Sequence, residues 1–179
     1  DLVRKVRARV YPVGRLDFNS EGLLLLTNDG ALAERLMHAS SHVPKTYQVK
    51  VSGRPTEENL RKLRAGVILP PDPRHPQAAR RGTRKTAPAR VHVLRDAPNP
   101  WLEVTLIEGQ NRQIRRMFEA VGHHAEKIKR VRYGPLELDV EPGAFRPLTP
   151  AEVTRLRSAV SHKRSVPQPR RRDTKDIPR

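Results

Sequence analysis

With 179 residues, 36% hydrophobic and only 4% aromatic, the chain is long enough for one domain with a core of Leu, Val, Ile and Ala, and too poor in aromatics for a broad stacking platform. Its net charge of +17, from 36 basic and 19 acidic side chains, calls for a polyanionic partner such as RNA, DNA or an anionic membrane surface. No apolar run is long enough to span a bilayer and no leader opens the sequence, so a soluble, cytoplasmic protein is expected; zero cysteines and seven histidines without ligand spacing beyond the adjacent His123-His124 argue against disulfides and metals.

Residues 1–9 are basic and weakly patterned, and residues 10–13 suit a short strand. Gly14-Arg15-Leu16-Asp17-Phe18-Asn19-Ser20-Glu21-Gly22 is a polar loop running into four leucines at 23–26. That leucine run is too short for a helix and is bounded by Gly22 and the turn Asn28-Asp29-Gly30, so it is expected to be a strand buried on both faces that fixes the loop. Within the loop Arg15 and Asp17 are near enough to share a site. An Asx-type turn with a surface arginine is the plainer reading of the same residues.

Leu32 with Leu36 and Ala33 with Met37 pair at helical spacing, giving a short helix that ends near His38, which is expected to satisfy helix carbonyls. Residues 45–53 alternate, with Tyr47, Val49 and Val51 on one side, as a half-buried strand does. Tyr47 then points inward, either as a core residue or as a phenol at a cleft. Thr56 caps a helix with Glu57 and Glu58 in its first turn and Gly66 past its end.

Residues 70–86 are Pro-rich and then basic, with +5 over residues 74–85, and are expected to form a loop insertion within the domain. Residues 89–95 and 101–107 suit an antiparallel strand pair. After the break at Glu108-Gly109-Gln110-Asn111, Ile114, Met117, Phe118 and Val121 form the buried stripe of a helix, with Arg112, Arg115 and Arg116 as a second face. Arginines at a helix start oppose the macrodipole, which a negatively charged partner would justify. Residues 127–133 alternate imperfectly among basic residues, as an edge strand facing RNA would, and Gly134-Pro135 turns the chain into residues 136–138. Thr149-Pro150-Ala151-Glu152 is a capping box for a last helix carrying Val153, Leu156 and Val160. Residues 162–179 add another +5 and no apolar pattern, and are read as a disordered basic tail beyond a domain at 1–161.

Three segments together resemble the RsuA/RluB group of ribosomal RNA pseudouridine synthases. Residues 14–17 and 19–30 are similar to the group's signature motif, Lys45-Thr46-Tyr47-Gln48-Val49 to its second motif, and residues 108–117 to its third. The resemblance implies an α+β fold, a mostly antiparallel mixed sheet with peripheral helices and a central cleft. It implies isomerisation of uridine to pseudouridine in ribosomal RNA, with the wording of residues 23–30 leaning toward the large subunit, and no metal or organic cofactor. Asp17 would be the catalytic carboxylate, Tyr47 would lie against the base, and Arg115 would pair with Asp17. Arg15 would fill the gap left by the flipped uridine, and Asn111, Arg112, Arg116, Lys129 and Arg130 would bind RNA. The expected partner is ribosomal RNA and the expected state a monomer without a membrane association. The group usually carries an S4-type RNA-binding domain and an Asn-Lys-Pro strand ahead of these motifs; neither is seen, so a fragment, a truncated gene product or a divergent member is expected. The alternatives are a non-catalytic RNA- or ribosome-binding protein, a small-subunit synthase, and a glycosylase that releases free uracil.

Overall fold

The computed structural model of the chain describes Val3 and residues 6–72 and 82–161. The basic tail at 162–179 and most of the basic stretch at 74–85 lie outside those residues. In chain order the elements are β1 (Tyr11–Pro12), β2 (Ser20–Gly22), β3 (Leu26–Thr27), α1 (Gly30–Met37), β4 (Lys45–Ser52), α2 (Glu57–Ala65), β5 (Ile68–Leu69), β6 (Arg84–Lys85), β7 (Arg90–Arg95), β8 (Trp101–Leu106), α3 (Gln113–Glu119), β9 (His124–Tyr133), β10 (Leu136–Glu137) and α4 (Pro150–Ser161). The fold is α+β. Its main sheet runs β10-β9-β4-β8-β7 with antiparallel neighbours, and is mixed because β2 pairs with β9 in parallel.

Local chemistry explains most of the elements. Thr56 accepts from the Asn59 N–H at 3.2 Å to start α2, and Gly66, at φ 85°, ends it. Thr149 and Glu152 exchange the reciprocal bonds of a capping box, at 2.8 and 3.2 Å, to start α4. α1 starts at Asp29, whose carboxylate accepts from the Leu32 N–H. At its far end the His38 ring bonds to Ser40 rather than to a helix carbonyl, and the closing bond to Glu34 comes from the His38 backbone N–H.

Two apolar cores result. The first lies between one face of the sheet and helices α2 and α3, through Val49, Val51, Leu63, Leu102, Met117 and Phe118. The second gathers Val13, Leu25, Leu36, Val43, Tyr133 and Leu156 around α1 and α4. A cleft of about 330 Å³ opens where the two cores do not meet, lined by Val13 and Tyr133 from one and by Leu106, Ile114 and Ile128 from the other.

Several expectations are corrected. The leucine run is not one doubly buried strand: Leu25 is buried, whereas Leu24 and Leu26 are each 38% exposed. The run bridges two sheets: β2, which ends at Gly22 just before it, pairs with β9, and Leu26 at its end belongs to β3, which pairs with β1. β9 is not an edge strand, because β4 covers one side and β2 and β10 the other. Arg115 does not share an exposed face with Arg112 and Arg116; it is buried beside Ile114, Met117 and Phe118. Residues 84–86 are not loop either, since Arg84–Lys85 pairs with β5 and Thr86 is buried, bonding Val67 in both directions.

Gly22 fixes how closely β2 lies on β9. It has φ 105°, and a Cβ there would overlap the backbone carbonyl of Arg130. Gly22→Ala is expected to lower unfolding free energy by about 2–4 kcal/mol, since backbone cannot retreat as a side chain would. Gly14→Ala, also at positive φ but with open space around it, should cost only about 1–2 kcal/mol in the same urea titration. Equal losses would show that the close approach to Arg130 does not constrain the loop.

Candidate active site

The polar loop crosses the mouth of the cleft. Gly14, Arg15, Leu16, Asp17 and Ser20 line it from the loop, Lys45 and Tyr47 from β4, residues 106–114 from the end of β8 and the start of α3, and Ile128, Arg130 and Tyr133 from β9. Asp17 is half-buried, Arg15 is exposed and Phe18 is fully exposed beside them. The loop has little regular structure of its own. It is held by hydrogen bonds to neighbours, of which the Ser20 N–H to Asp17 carbonyl turn, at 2.8 Å, is the most local.

Two buried arginines do most of the holding. Arg115, reaching from α3, donates from Nη2 to the Asn19 carbonyl at 2.7 Å and from Nη1 to the Ala125 carbonyl at 2.6 Å. The ion pair expected between Asp17 and Arg115 is not formed, and Asp17 forms no ion pair with any described residue. Arg115 reaches the backbone two residues beyond Asp17 instead, because both its terminal nitrogens are committed to carbonyls. Arg130 holds the loop's other end: its Nε donates to the Leu23 carbonyl at 2.6 Å while the Leu23 N–H donates to the Arg130 carbonyl at 2.8 Å.

Tyr47 and Arg130 face each other from directly opposed positions on β4 and β9. Burial pushes the Tyr47 phenol up, the Arg130 guanidinium pulls it back in part, and Asp17 adds a smaller upward push. The phenol is therefore protonated at neutral pH, and toward the Arg130 guanidinium, which can only donate, its oxygen is the acceptor. Behind it the Tyr133 ring has two cations over it, Lys45 Nζ and the Arg130 guanidinium carbon, each 5.3 Å from its centroid. The Tyr133 hydroxyl donates to the Leu36 carbonyl at 3.0 Å, and burial pushes its pKa up to about 12. Burial and the nearby Arg130 charge lower Lys45 to about 8.

Of the other residues expected at the site, Asn111 and Arg112 line the cleft. Arg112 carries a left-handed backbone at φ 48° at the start of α3, a conformation that costs energy and is often found where geometry serves a ligand. Arg116 and Lys129 are not among the cleft residues. Arg116 is tied to the Pro70 and Asn111 carbonyls, and Lys129 lies on the opposite face of β9 from Arg130, in a second, apolar groove with Leu23 and Leu136. Sequence reasoning missed Lys45, although it sits two residues before Tyr47 on the same face. It also missed Glu108 and Gln113: Glu108 Oε1 accepts from Gln113 Nε2 at 2.6 Å and from the Ala87 N–H at 3.0 Å, fixing the turn into α3.

Two outcomes test this arrangement. Arg115→Met should cost about 2–4 kcal/mol in stability, because two buried carbonyls lose a charged donor. Combined with Asp17→Asn, the effects should add to within about 0.5 kcal/mol, since the two side chains do not pair; a larger coupling in urea titrations would reinstate the ion pair. Lys45 gives a pH signature. The free side chain titrates at 10.5 and the folded one at about 8, so the unfolded chain holds the extra proton between those values and Lys45 weakens the fold fully below about 8, less so as pH climbs toward 10.5. The stability gained by Lys45→Met at pH 7 should shrink by about 1–2 kcal/mol at pH 10, after allowance for partial exposure. A gain independent of pH would remove the shifted amine.

Residues 4–120 match the model of RNA pseudouridylate synthases. The chain is 43% identical over 166 residues to ribosomal large subunit pseudouridine synthase B of Bacillus subtilis, covering 90% of this chain and 63% of that one. It is 46% identical over 136 residues to ribosomal large subunit pseudouridine synthase E of Xanthomonas axonopodis pv. citri, covering 73% of this chain and 70% of the relative. A pseudouridylate synthase crystal structure superposes with a TM-score of 0.72 at 31% identity, over 82% of this chain and 59% of that chain. The chain thus spans 63–64% of the length of the B. subtilis protein and of a similar Aquifex aeolicus RNA pseudouridine synthase. The matched span holds the loop bearing Asp17, the strand bearing Tyr47 and the helix bearing Arg115, and on these grounds the chain belongs to the RNA pseudouridylate synthase family.

Proposed function

We propose that the chain converts uridine to pseudouridine at a specific site in ribosomal RNA, in the large subunit as its relatives' names suggest, acting as a cytoplasmic monomer without metal or organic cofactor. The observation that carries the reading is a half-buried carboxylate without a hydrogen-bonded partner among the described residues, Asp17, at the mouth of a cleft whose floor is a phenol and a guanidinium. Detaching uracil leaves electron deficiency at the anomeric carbon, which a carboxylate can stabilise or bond. Asp17 has that role, either by adding to the sugar or by accepting its proton in an elimination. Tyr47 lies against the base. Because its phenol is held protonated by burial, a water it orients, rather than a phenolate, takes the proton from C5.

Arg115 keeps the Asp17 loop in register through the Asn19 carbonyl, and so is a positioning residue. Arg15, exposed next to Asp17, fills the space that the flipped uridine leaves in the RNA. Asn111 and Arg112 meet the RNA at the cleft rim, and the basic stretches 74–85 and 162–179 add phosphate-binding charge.

Asp17→Asn should abolish pseudouridine formation on ribosomal RNA while leaving the melting temperature within a few degrees of the original, because Asp17 holds no structural ion pair. Carbodiimide-dependent reverse-transcription stops report the product. Stops of normal strength from the variant would exclude Asp17 from the reaction, and free uracil without stops would make the wild-type protein a glycosylase.

A further inference from the structure

Arg130 differs from the other buried arginine in one respect. Arg115 spends both terminal nitrogens on carbonyls, whereas Arg130, 3% exposed, bonds a carbonyl only through Nε and lies against the Tyr47 phenol, and its Nη2 is buried with no hydrogen-bond partner. A guanidinium brings five N–H groups into the interior, and an unpaired buried donor is a standing cost that an occupant of the cleft would relieve. The cleft that Arg130 lines also holds Asp17 and Tyr47. RNA phosphates stay on the outside of the polynucleotide and do not reach a side chain at this depth. A base turned out of the strand does, and uracil presents two carbonyl oxygens.

We propose that Arg130 is a catalytic residue whose Nη2 donates a hydrogen bond to a carbonyl oxygen of the flipped uracil and holds the negative charge of that base while it is detached. The inference rests on the reading of the chain as a uridine-to-pseudouridine isomerase. When the bond between the anomeric carbon and N1 breaks, its electron pair stays on uracil, which becomes an anion with charge spread onto its carbonyl oxygens, while the Asp17 carboxylate compensates the sugar. After the base turns, C5 returns an electron pair to the anomeric carbon. The C5 proton leaves and N1 takes one up, so the isomerisation closes without a co-reactant. Uracil is neutral before and after but anionic between, so a fixed cation at its oxygen stabilises the intermediate more than either end state. Neighbours hold Arg130 in place for this: Leu23 fixes its Nε, and the Tyr133 ring backs its guanidinium at 5.3 Å.

The test uses the full chain and transcribed ribosomal RNA made with either [5-³H]uridine or 5-fluorouridine, under single turnover. Tritium release by the wild type establishes the isomerase, and no release would overturn that reading by itself. Given release, Arg130→Gln should slow it at least 100-fold while changing RNA affinity less than threefold. Fluorine stabilises the departing base anion, so the same substitution should slow loss of the 5-fluorouridine N-glycoside, measured by mass spectrometry of the digested RNA, at least tenfold less than it slows uridine. Equal defects on the two RNAs, or a defect confined to affinity, would overturn the role in charge stabilisation. Should Arg130→Gln not fold, the wild-type protein crystallised with the 5-fluorouridine RNA decides: Nη2 within hydrogen-bond distance of a ring carbonyl upholds the inference, and Nη2 on a phosphate or on protein atoms alone overturns it.

Discussion

Two guanidinium groups gripping backbone carbonyls set the geometry on which the cleft depends. The loop from Gly14 to Gly22 makes few bonds within itself, yet it has to present Asp17 at one point. Arg115 binds it at Asn19 and anchors its other nitrogen at Ala125, so the loop is tied both to α3 and to the start of β9. Arg130 binds the next segment at Leu23, in a reciprocal exchange with that residue's own N–H. Bonds from a charged donor contribute about 1.5–3 kcal/mol each, while burying a guanidinium costs several kcal/mol, so the arrangement adds little net stability. Its effect is specificity: a loop with no helix or long strand of its own acquires one conformation because two rigid elements hold its carbonyls.

Much of the scaffold was legible in the sequence because the forces that make it are local. Thr56 and Gly66 bound a helix through their own backbone chemistry, Thr149 and Glu152 do so for another, and the period of residues 45–53 survives as β4 with Val49 and Val51 fully buried. The leucine run misled because composition reports affinity for a core and not which backbone pairs with it. Once β2 takes β9 as partner and β3 takes β1, the residues between are free to turn, and only Leu25 reaches the interior fully. The arginines of residues 112–116 misled in a similar way. Helical spacing groups them, but the helix is only seven residues long, and Arg115 falls on its packed side, where long-range acceptors at Asn19 and Ala125 draw it in.

The charge distribution of the cleft follows from the same packing. In a chain of net charge +17 the acidic groups near the site are few, and Glu108 is engaged by Gln110, Gln113 and the Ala87 N–H. Asp17 is left as the carboxylate of the cleft without a hydrogen-bonded partner among the described residues. Behind it, burial acts on the phenol and the amine in opposite directions, raising Tyr47 and lowering Lys45, because each is pushed toward its neutral form. A guanidinium is the side chain that keeps its charge in surroundings where an amine gives way, and Arg130 brings one to this floor. The floor of the cleft thus combines a neutral phenol, an amine that gives up its proton at about 8, and one permanent cation, an environment suited to the transiently anionic base of the proposed reaction.

Which residue supplies that cation is decided by two irregularities in β9. A regular strand would turn every second side chain inward, yet the inward set is Ala125, Ile128, Arg130 and Tyr133. The pairing with β4 explains the uneven steps. Lys50 opposes Lys127 but Val51 opposes Ala125, and Thr46 opposes Arg132 but Tyr47 opposes Arg130, so β9 carries an extra residue at Glu126 and another at Val131. These bulges are why the sequence at 127–133 looks poorly alternating, and why it suggested an exposed edge. Without the one at Val131, a strand with Arg130 inward would also turn Arg132 inward and Tyr133 outward, because side chains change face at every step. The second core would then lose Tyr133 and the cleft would gain a second guanidinium beside the first. The bulge lets a phenol with its hydroxyl anchored on Leu36 stand there instead, its ring within 5.3 Å of both Arg130 and Lys45.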